Sequence, residues 1–363
     1  KMGHAVYIFA PHWPGYVDVN PNVFRYPSID IKFKIRFPLA VPYSWKIRKI
    51  LKELDIDIIH AQHPNLLGSA ARRWARRLAR RRGGKRIPLI FTWHTRYDLY
   101  ANYAPFIPPK IAAGFMIKKA VGFANGANAV IVPTGSMIPI IKGWGVKNKN
   151  IVPIATGVEI EQLENADRKM IREKYGVRDD ETLLFVIARF TKEKNMEFLF
   201  RSAIRVLKRN KKVKFMAAAD GYLRPVLEKL VAEKGVEDQV IFAGHISDDI
   251  KKHYFAASDI FVFASKSETQ GMVITEAMYM GLPIVAVDAT GPSSLVENNE
   301  NGFLVKENEE EFAGAVEKLI DDKELRQRFS QNSKKIAREN FTSEICAKKM
   351  LDVYERAIDR RNS

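Results

Sequence analysis

A single cysteine, Cys346, stands among 363 residues, which excludes an internal disulfide framework and fits a reducing compartment. No apolar run approaches the ~18 residues needed to span a bilayer. Acidic residues are scarce in one half only. Residues 1–155 hold 25 Lys and Arg against 6 Asp and Glu, a net of +19, whereas 156–363 hold 34 against 36, a net of −2. An ordinary soluble surface mixes both signs, so the first half reads as meeting something anionic. Acidic pairs suited to a metal are also lacking. Asp55-Ile56-Asp57 spells a metal-binding Asp-x-Asp, but it precedes a strand, where carboxylates commonly end a helix-to-strand loop in solvent. No metal and no cofactor is expected.

What is present suits two packed domains. Apolar residues make up 46% of the chain, and its length allows two cores. Short apolar strands alternate with amphipathic segments, the pattern of parallel α/β sheets. Strands are expected at Ala5–Ala10, Ile56–Ala61, Leu89–Trp93 and Ala129–Val132 in the first half. In the second they fall at Leu183–Ala188, Val213–Ala218, Val240–Ala243, Ile260–Ala264 and Ile284–Val287. Ile154–Val158 reads as a hinge, giving domains 1–155 and 156–340 and a helical segment 341–363 returning to the first. Lys1-Met2-Gly3-His4 reads as a helix end leading into a strand. A doubly wound sheet usually begins at its centre, so one βα unit of roughly 30 residues is expected before it.

The most informative stretch is Ser265-Lys266-Ser267-Glu268-Thr269-Gln270-Gly271-Met272-Val273-Ile274-Thr275-Glu276-Ala277-Met278, then Gly281-Leu282-Pro283. A strand gives way to a helix from Val273 to Tyr279. The N–H groups of Gly271, Met272 and Val273 at its start form a site for a diphosphate. Glu276, one turn in, can accept from ribose hydroxyls, and Glu268 at the strand end from sugar hydroxyls. The arrangement suits a nucleotide sugar, but in a chain this rich in Glu such a pair also arises by chance, and two solvated surface carboxylates are the plain alternative that the spacing alone leaves open. Upstream, Val186 to Asn195 places Arg189 and Lys194 five apart after another strand. A departing nucleoside diphosphate gathers negative charge, which Arg189 meets with a planar fork and Lys194 with a point charge.

In the first half, Leu89–Trp93 ends in His94-Thr95-Arg96-Tyr97-Asp98-Leu99-Tyr100-Ala101-Asn102-Tyr103. Residues at the C-terminal end of a parallel strand face the ligand crevice. His94, with Tyr97 and Tyr100, therefore suits hydroxyl recognition beside an apolar acceptor. Residues 69–82 carry Ala70, Ala71, Trp74, Ala75, Leu78 and Ala79 on one helical stripe. Arg72, Arg73, Arg76, Arg77, Arg80 and Arg81 occupy the other. Such a helix can pack on a sheet and still turn arginines such as Arg73, Arg77 and Arg81 toward anionic headgroups. Phe106 to Lys119 mixes apolar residues with lysines and reads either as a lipid entrance or as a plain core helix.

The Arg189–Lys194 run, Glu-Thr-Gln-Gly, Glu-Ala-Met, Gly-Leu-Pro-Ile-Val-Ala, Val296-Glu297 and Asn301-Gly302-Phe303-Leu304-Val305 together carry a resemblance. They resemble the donor site of retaining glycosyltransferases of the GT-B fold, and the likeness extends over nearly the whole chain. The His94 segment resembles 1,2-diacylglycerol 3-glucosyltransferases in particular. So does Gln270, where mannosyltransferase relatives tend to carry Phe. The resemblance implies two facing Rossmann-like, doubly wound domains, an interdomain cleft and a C-terminal helix crossing back. It implies transfer of glucose from UDP-glucose to diacylglycerol, with retention, at an anionic membrane surface on the cytoplasmic side. His94, Glu268, Arg189 and Lys194 would be catalytic, with cations and helix dipole replacing Mg²⁺. Two departures are Ala188, where the family usually has Gly, and the absence of a mappable Gly-rich loop. A mannosyltransferase acting on phosphatidylinositol and a soluble-acceptor enzyme of the same fold are the neighbouring readings. A nucleic-acid-binding protein is the different class, but no RNA- or DNA-reading motif accompanies the arginines, and no nucleic acid is expected.

Overall fold

A computed structural model describes residues 2–32, 36–81, 86–100 and 108–362. The chain divides into two units, Lys1–Pro133 with Met137–Pro153 and Met350–Ser363, and Thr134–Ser136 with Ile154–Lys349.

In the first unit, β1 (Ile8–Pro11) pairs in parallel with β2 (Val23–Tyr26), and β3 (Ser28–Lys32) forms an antiparallel hairpin with β4 (Arg36–Ala40). A four-stranded parallel sheet follows in chain order: β5 (Ile59–Ala61), β6 (Leu89–Thr92), β7 (Ala129–Val132) and β8 (Ile151–Pro153). β6 and β7 are buried throughout, as strands covered on both faces should be. Phe91 and Trp93 pack with Phe123 and Ala120 of the helix Pro109–Ala124. Ser44 caps the helix Trp45–Glu53, its side chain accepting from the Ile47 N–H.

The second unit is one six-stranded parallel sheet. Its strands are β9 (Thr182–Ile187), β10 (Val213–Ala218), β11 (Val240–Gly244), β12 (Ile260–Phe263), β13 (Ile284–Val287) and β14 (Gly302–Val305). Period-two alternation divides each strand between two cores. Leu184, Val186, Phe215, Val262 and Val285 enter one, while Leu183, Phe185, Met216, Phe261 and Ile284 enter the other. The spatial order is β11-β10-β9-β12-β13-β14. The order reverses between β9 and β12, which pair directly. Loops leaving their C-terminal ends part in opposite directions and open a crevice at that switch point.

Candidate nucleotide-sugar site

The loops after β9 and β12 carry the residues that the motifs single out. Beyond β9, a short 3₁₀ turn over Lys192–Lys194 ends at Asn195, whose φ of 57° is left-handed, and the helix Met196–Arg209 begins there. The turn buries Lys194, and its Nζ donates to Glu268 Oε1 from the loop after β12. Two residues 74 apart in sequence thus form one ion pair at the switch point. Arg189 stays half-exposed, with Nη2 3.5 Å from Glu193 Oε1.

Gly271 caps the helix Met272–Tyr279 with φ +88°, a conformation only glycine adopts without strain, and no side chain caps the helix start. The N–H groups of its first turn therefore keep their positive field for an anion. Gly291 lets the next loop close in, since a Cβ there would lie 2.5 Å from Gln270 O and 3.0 Å from Glu268 Cβ. One turn along, Glu276 is nearly buried. Its Oε1 accepts from Lys251 Nζ at 2.7 Å, on the helix Asp248–Ala257. Burial raises the Glu276 pKa, against the pull of Lys251. The sequence offered no signal for Lys251, because the pair joins two helices with no spacing pattern between them.

Gln270 does something different from lining a pocket. Buried, it accepts from Thr156 N–H at 2.8 Å and donates to Thr156 O at 3.0 Å, pairing with the connecting segment as a strand neighbour would. On its far side that segment pairs with the start of the last helix. Val158 N–H donates to Phe341 O, and Ser343 N–H to Val158 O.

Residues 167–336 match the family described as glycosyl transferases group 1, and residues 1–162 match glycosyltransferase family 4. The alpha-monoglucosyldiacylglycerol synthase of Streptococcus pneumoniae is 30% identical, over 100% of this chain and 80% of that protein. The synthase of the same name from Acholeplasma laidlawii is 26% identical, over 99% and 91%. The chain belongs to the GT-B glycosyltransferases. The solved structure of Anabaena HepE in complex with UDP and glucose shares the fold, with a TM-score of 0.72 at 21% identity, over 92% of this chain and 86% of that one.

The first unit of the glycosyltransferase holds the other candidates. His94 is exposed just past β6, and its Nε2 lies 2.7 Å from Gln62 Oε1. Partial desolvation lowers its pKa. Tyr97 corrects the reading that placed it on the acceptor side. It is buried in the core, edge-on to Trp93 at 5.8 Å, and burial pushes its hydroxyl up to about 12. The tyrosine spacing suggests a helical face, and Tyr97 itself turns inward. Tyr100 ends the same short helix, and residues 101–107, with Tyr103, Phe106 and Ile107, lie outside the described residues.

Sequence reading missed His60. Its Nδ1 meets Tyr354 Oη and its Nε2 meets Thr92 Oγ1, both at 2.6 Å, and burial with His94 nearby holds its pKa near 4. The strand-end rule that picked out His94 applies equally to the end of β5, where His60 and Ala61 close the strand and Gln62 and His63 follow it. Asp55 and Asp57 are exposed before β5.

The helix Leu67–Arg81 buries Ala70, Ala75, Leu78 and Ala79 and exposes Arg73, Arg76, Arg77 and Arg80. Arg72 departs from the expected outward stripe. Its guanidinium lies 4.5 Å over the Phe123 ring and donates to Gly122 O and Phe123 O, closing the end of the helix Pro109–Ala124. Arg73 reaches Pro42 O at 3.4 Å, Arg77 lies over Trp74, and Arg81 ends the helix. Two apolar groups flank further cations: Tyr43 and Trp45 are exposed beside Lys46 and Lys49, and Ile111 and Phe115 beside Lys110, Lys118 and Lys119. No described helix is long and apolar enough to cross a membrane.

Proposed function

We propose that this glycosyltransferase moves glucose from UDP-glucose to the free hydroxyl of a 1,2-diacylglycerol at an anionic membrane surface, with retention and without a metal ion. The observation that carries the reading is likeness along the entire chain to two proteins named as monoglucosyldiacylglycerol synthases. The site supplies matching chemistry. Glu276 accepts from the ribose, the helix start at Gly271, Met272 and Val273 meets the diphosphate, and Glu268 accepts from the hexose. Arg189 and Lys194 take up the charge that grows as the glycosidic bond breaks. The leaving diphosphate accepts the acceptor's proton on the same face, so no side-chain base is needed. His94 positions the acceptor hydroxyl. Exposed Trp45, Tyr43, Ile111 and Phe115 beside lysines favour a lipid over a water-soluble acceptor.

Incubating the protein with UDP-glucose and vesicles of diacylglycerol and phosphatidylglycerol tests this. The expected product is α-glucosyl-diacylglycerol, identified by its anomeric coupling in NMR. A β-product, or transfer confined to soluble acceptors, overturns the reading.

A further inference from the structure

Glu276 is a carboxylate with one oxygen engaged. Oε1 accepts from Lys251, whereas Oε2 is closed off from solvent and has no hydrogen-bond partner among the described residues. A buried acceptor left unpaired is costly, and the cost is relieved when a ligand brings the missing donor. Lys251 is as enclosed as its partner, its side chain 13% exposed against 12% for Glu276. Its second contact, Asp248 at 3.2 Å, is 86% exposed and holds it loosely.

Resting on the nucleotide-sugar reading of this unit, we propose that Lys251 is a positioning residue for ribose recognition. It fixes the Glu276 carboxylate through Oε1 and so reserves Oε2, enclosed in this structure, for the vicinal hydroxyls of the donor's ribose, whose binding must open a path to it. A cis-diol supplies two O–H donors, and one carboxylate oxygen has the lone pairs for both. The geometry then reads the sugar of the nucleotide rather than its base. It selects ribose against a dideoxy sugar, which offers no donor and would leave Oε2 unpaired.

The electrostatics point the same way. Burial and Asp248 both raise the Glu276 pKa, and Lys251 alone opposes them. β12 and β13 carry no charged residue. The helix Lys323–Asn340 brings Lys334 to Gly281 and Arg338 over Tyr279, at the C-terminal end of the Glu276 helix. Without the Lys251 ammonium, Glu276 takes a proton at higher pH and accepts poorly from hydroxyls. The resulting loss of binding grows as pH falls.

Calorimetry of the full chain with UDP and with 2′,3′-dideoxy-UDP, at about pH 8 and about pH 6, tests this. Glu276→Ala should weaken UDP about ten-fold or more and leave dideoxy-UDP unchanged. Lys251→Met should weaken UDP alone, more at the lower pH, and should add nothing in the Glu276→Ala background. Lys251→Arg should restore most of the affinity, and a thermal melt of Lys251→Gln gives a second, folded comparison. Equal losses for UDP and dideoxy-UDP in Lys251→Met would mean the lysine acts on the diphosphate or the fold, which overturns the proposal. So would unchanged UDP affinity in Lys251→Met alongside a loss in Glu276→Ala. Should Glu276→Ala bind UDP as wild type does, the donor-site reading falls as well.

Discussion

Lys194 and Arg189, both proposed to meet the departing diphosphate, are held very differently. Lys194 is buried against Glu268, whereas Arg189 is half-exposed and loosely held. Arg189→Ala should therefore lower UDP affinity about ten-fold with the melting temperature unchanged. Lys194→Ala should lower both, because it strips Glu268 of its cation. Calorimetry and thermal melts on the two variants separate these outcomes. His94→Ala should depress glucosyl transfer while UDP affinity stays near wild type. Desolvation lowers the His94 pKa, so its imidazole keeps the neutral form further toward acid than a free histidine, and its contribution should fade at lower pH than a free imidazole's would. His60 bears on stability instead. Its folded value of about 4 lies below the ordinary 6.5, so the native state binds fewer protons. The associated stability is complete above pH 6.5 and drains away toward pH 4, about 3 kcal/mol in all. Urea melts of His60→Gln should lack that part of the acid slope, and an unchanged slope would remove His60 as its source.

At the scale of elements, the helix Leu67–Arg81 shows that one arginine row has two destinies. Replacing Arg73, Arg77 and Arg81 by Gln should weaken binding to phosphatidylglycerol vesicles by about 1 kcal/mol per residue near the surface and spare UDP binding. Arg72→Gln should leave vesicle binding nearly intact but lower the melting temperature, because Gly122 and Phe123 carbonyls lose their donor. Vesicle flotation beside thermal melts distinguishes the two. Short apolar runs such as Val213–Ala218 and Ile284–Val287 were readable from sequence to the residue. The hairpin of β3 and β4 was passed over although Ser28–Lys32 alternates polar and apolar residues, because Phe33-Lys34-Ile35 between the strands holds no Gly, Asn or Pro to signal a turn. Arg72 and Tyr97 were misread for a shared reason. A helical wheel gives a direction around an axis but not which neighbour lies there, and Phe123 and Trp93 are neighbours only after folding. The backbone of the candidate donor loop was legible because a glycine and a helix start, Gly271 before Met272–Tyr279, leave a mark in the sequence. Lys251 and Tyr354 were not, since their partners are met only in three dimensions.

Across the whole molecule, the +19 of residues 1–155 should make vesicle binding rise with anionic lipid and fall steeply as salt shortens the screening length below ~8–10 Å. Equal binding to neutral and anionic vesicles would leave the cationic excess without a partner. If Arg189, Lys194 and the helix at Gly271 neutralise the diphosphate, a chelator should leave turnover intact. Activity lost to chelation and rescued by Mg²⁺ or Mn²⁺ would return attention to Asp55 and Asp57. One signature residue reaches beyond its own loop. The amide of Gln270 satisfies both backbone groups of Thr156, next to Gly157, where any Cβ would collide with Ser343. Both groups it satisfies are main-chain, so any residue at 156 offers the same N–H and C=O, and replacing Gln270 by Phe leaves that pair without the partner it has here. The identity of residue 270, and not that of 156, decides how firmly this stretch of the second unit is tied down.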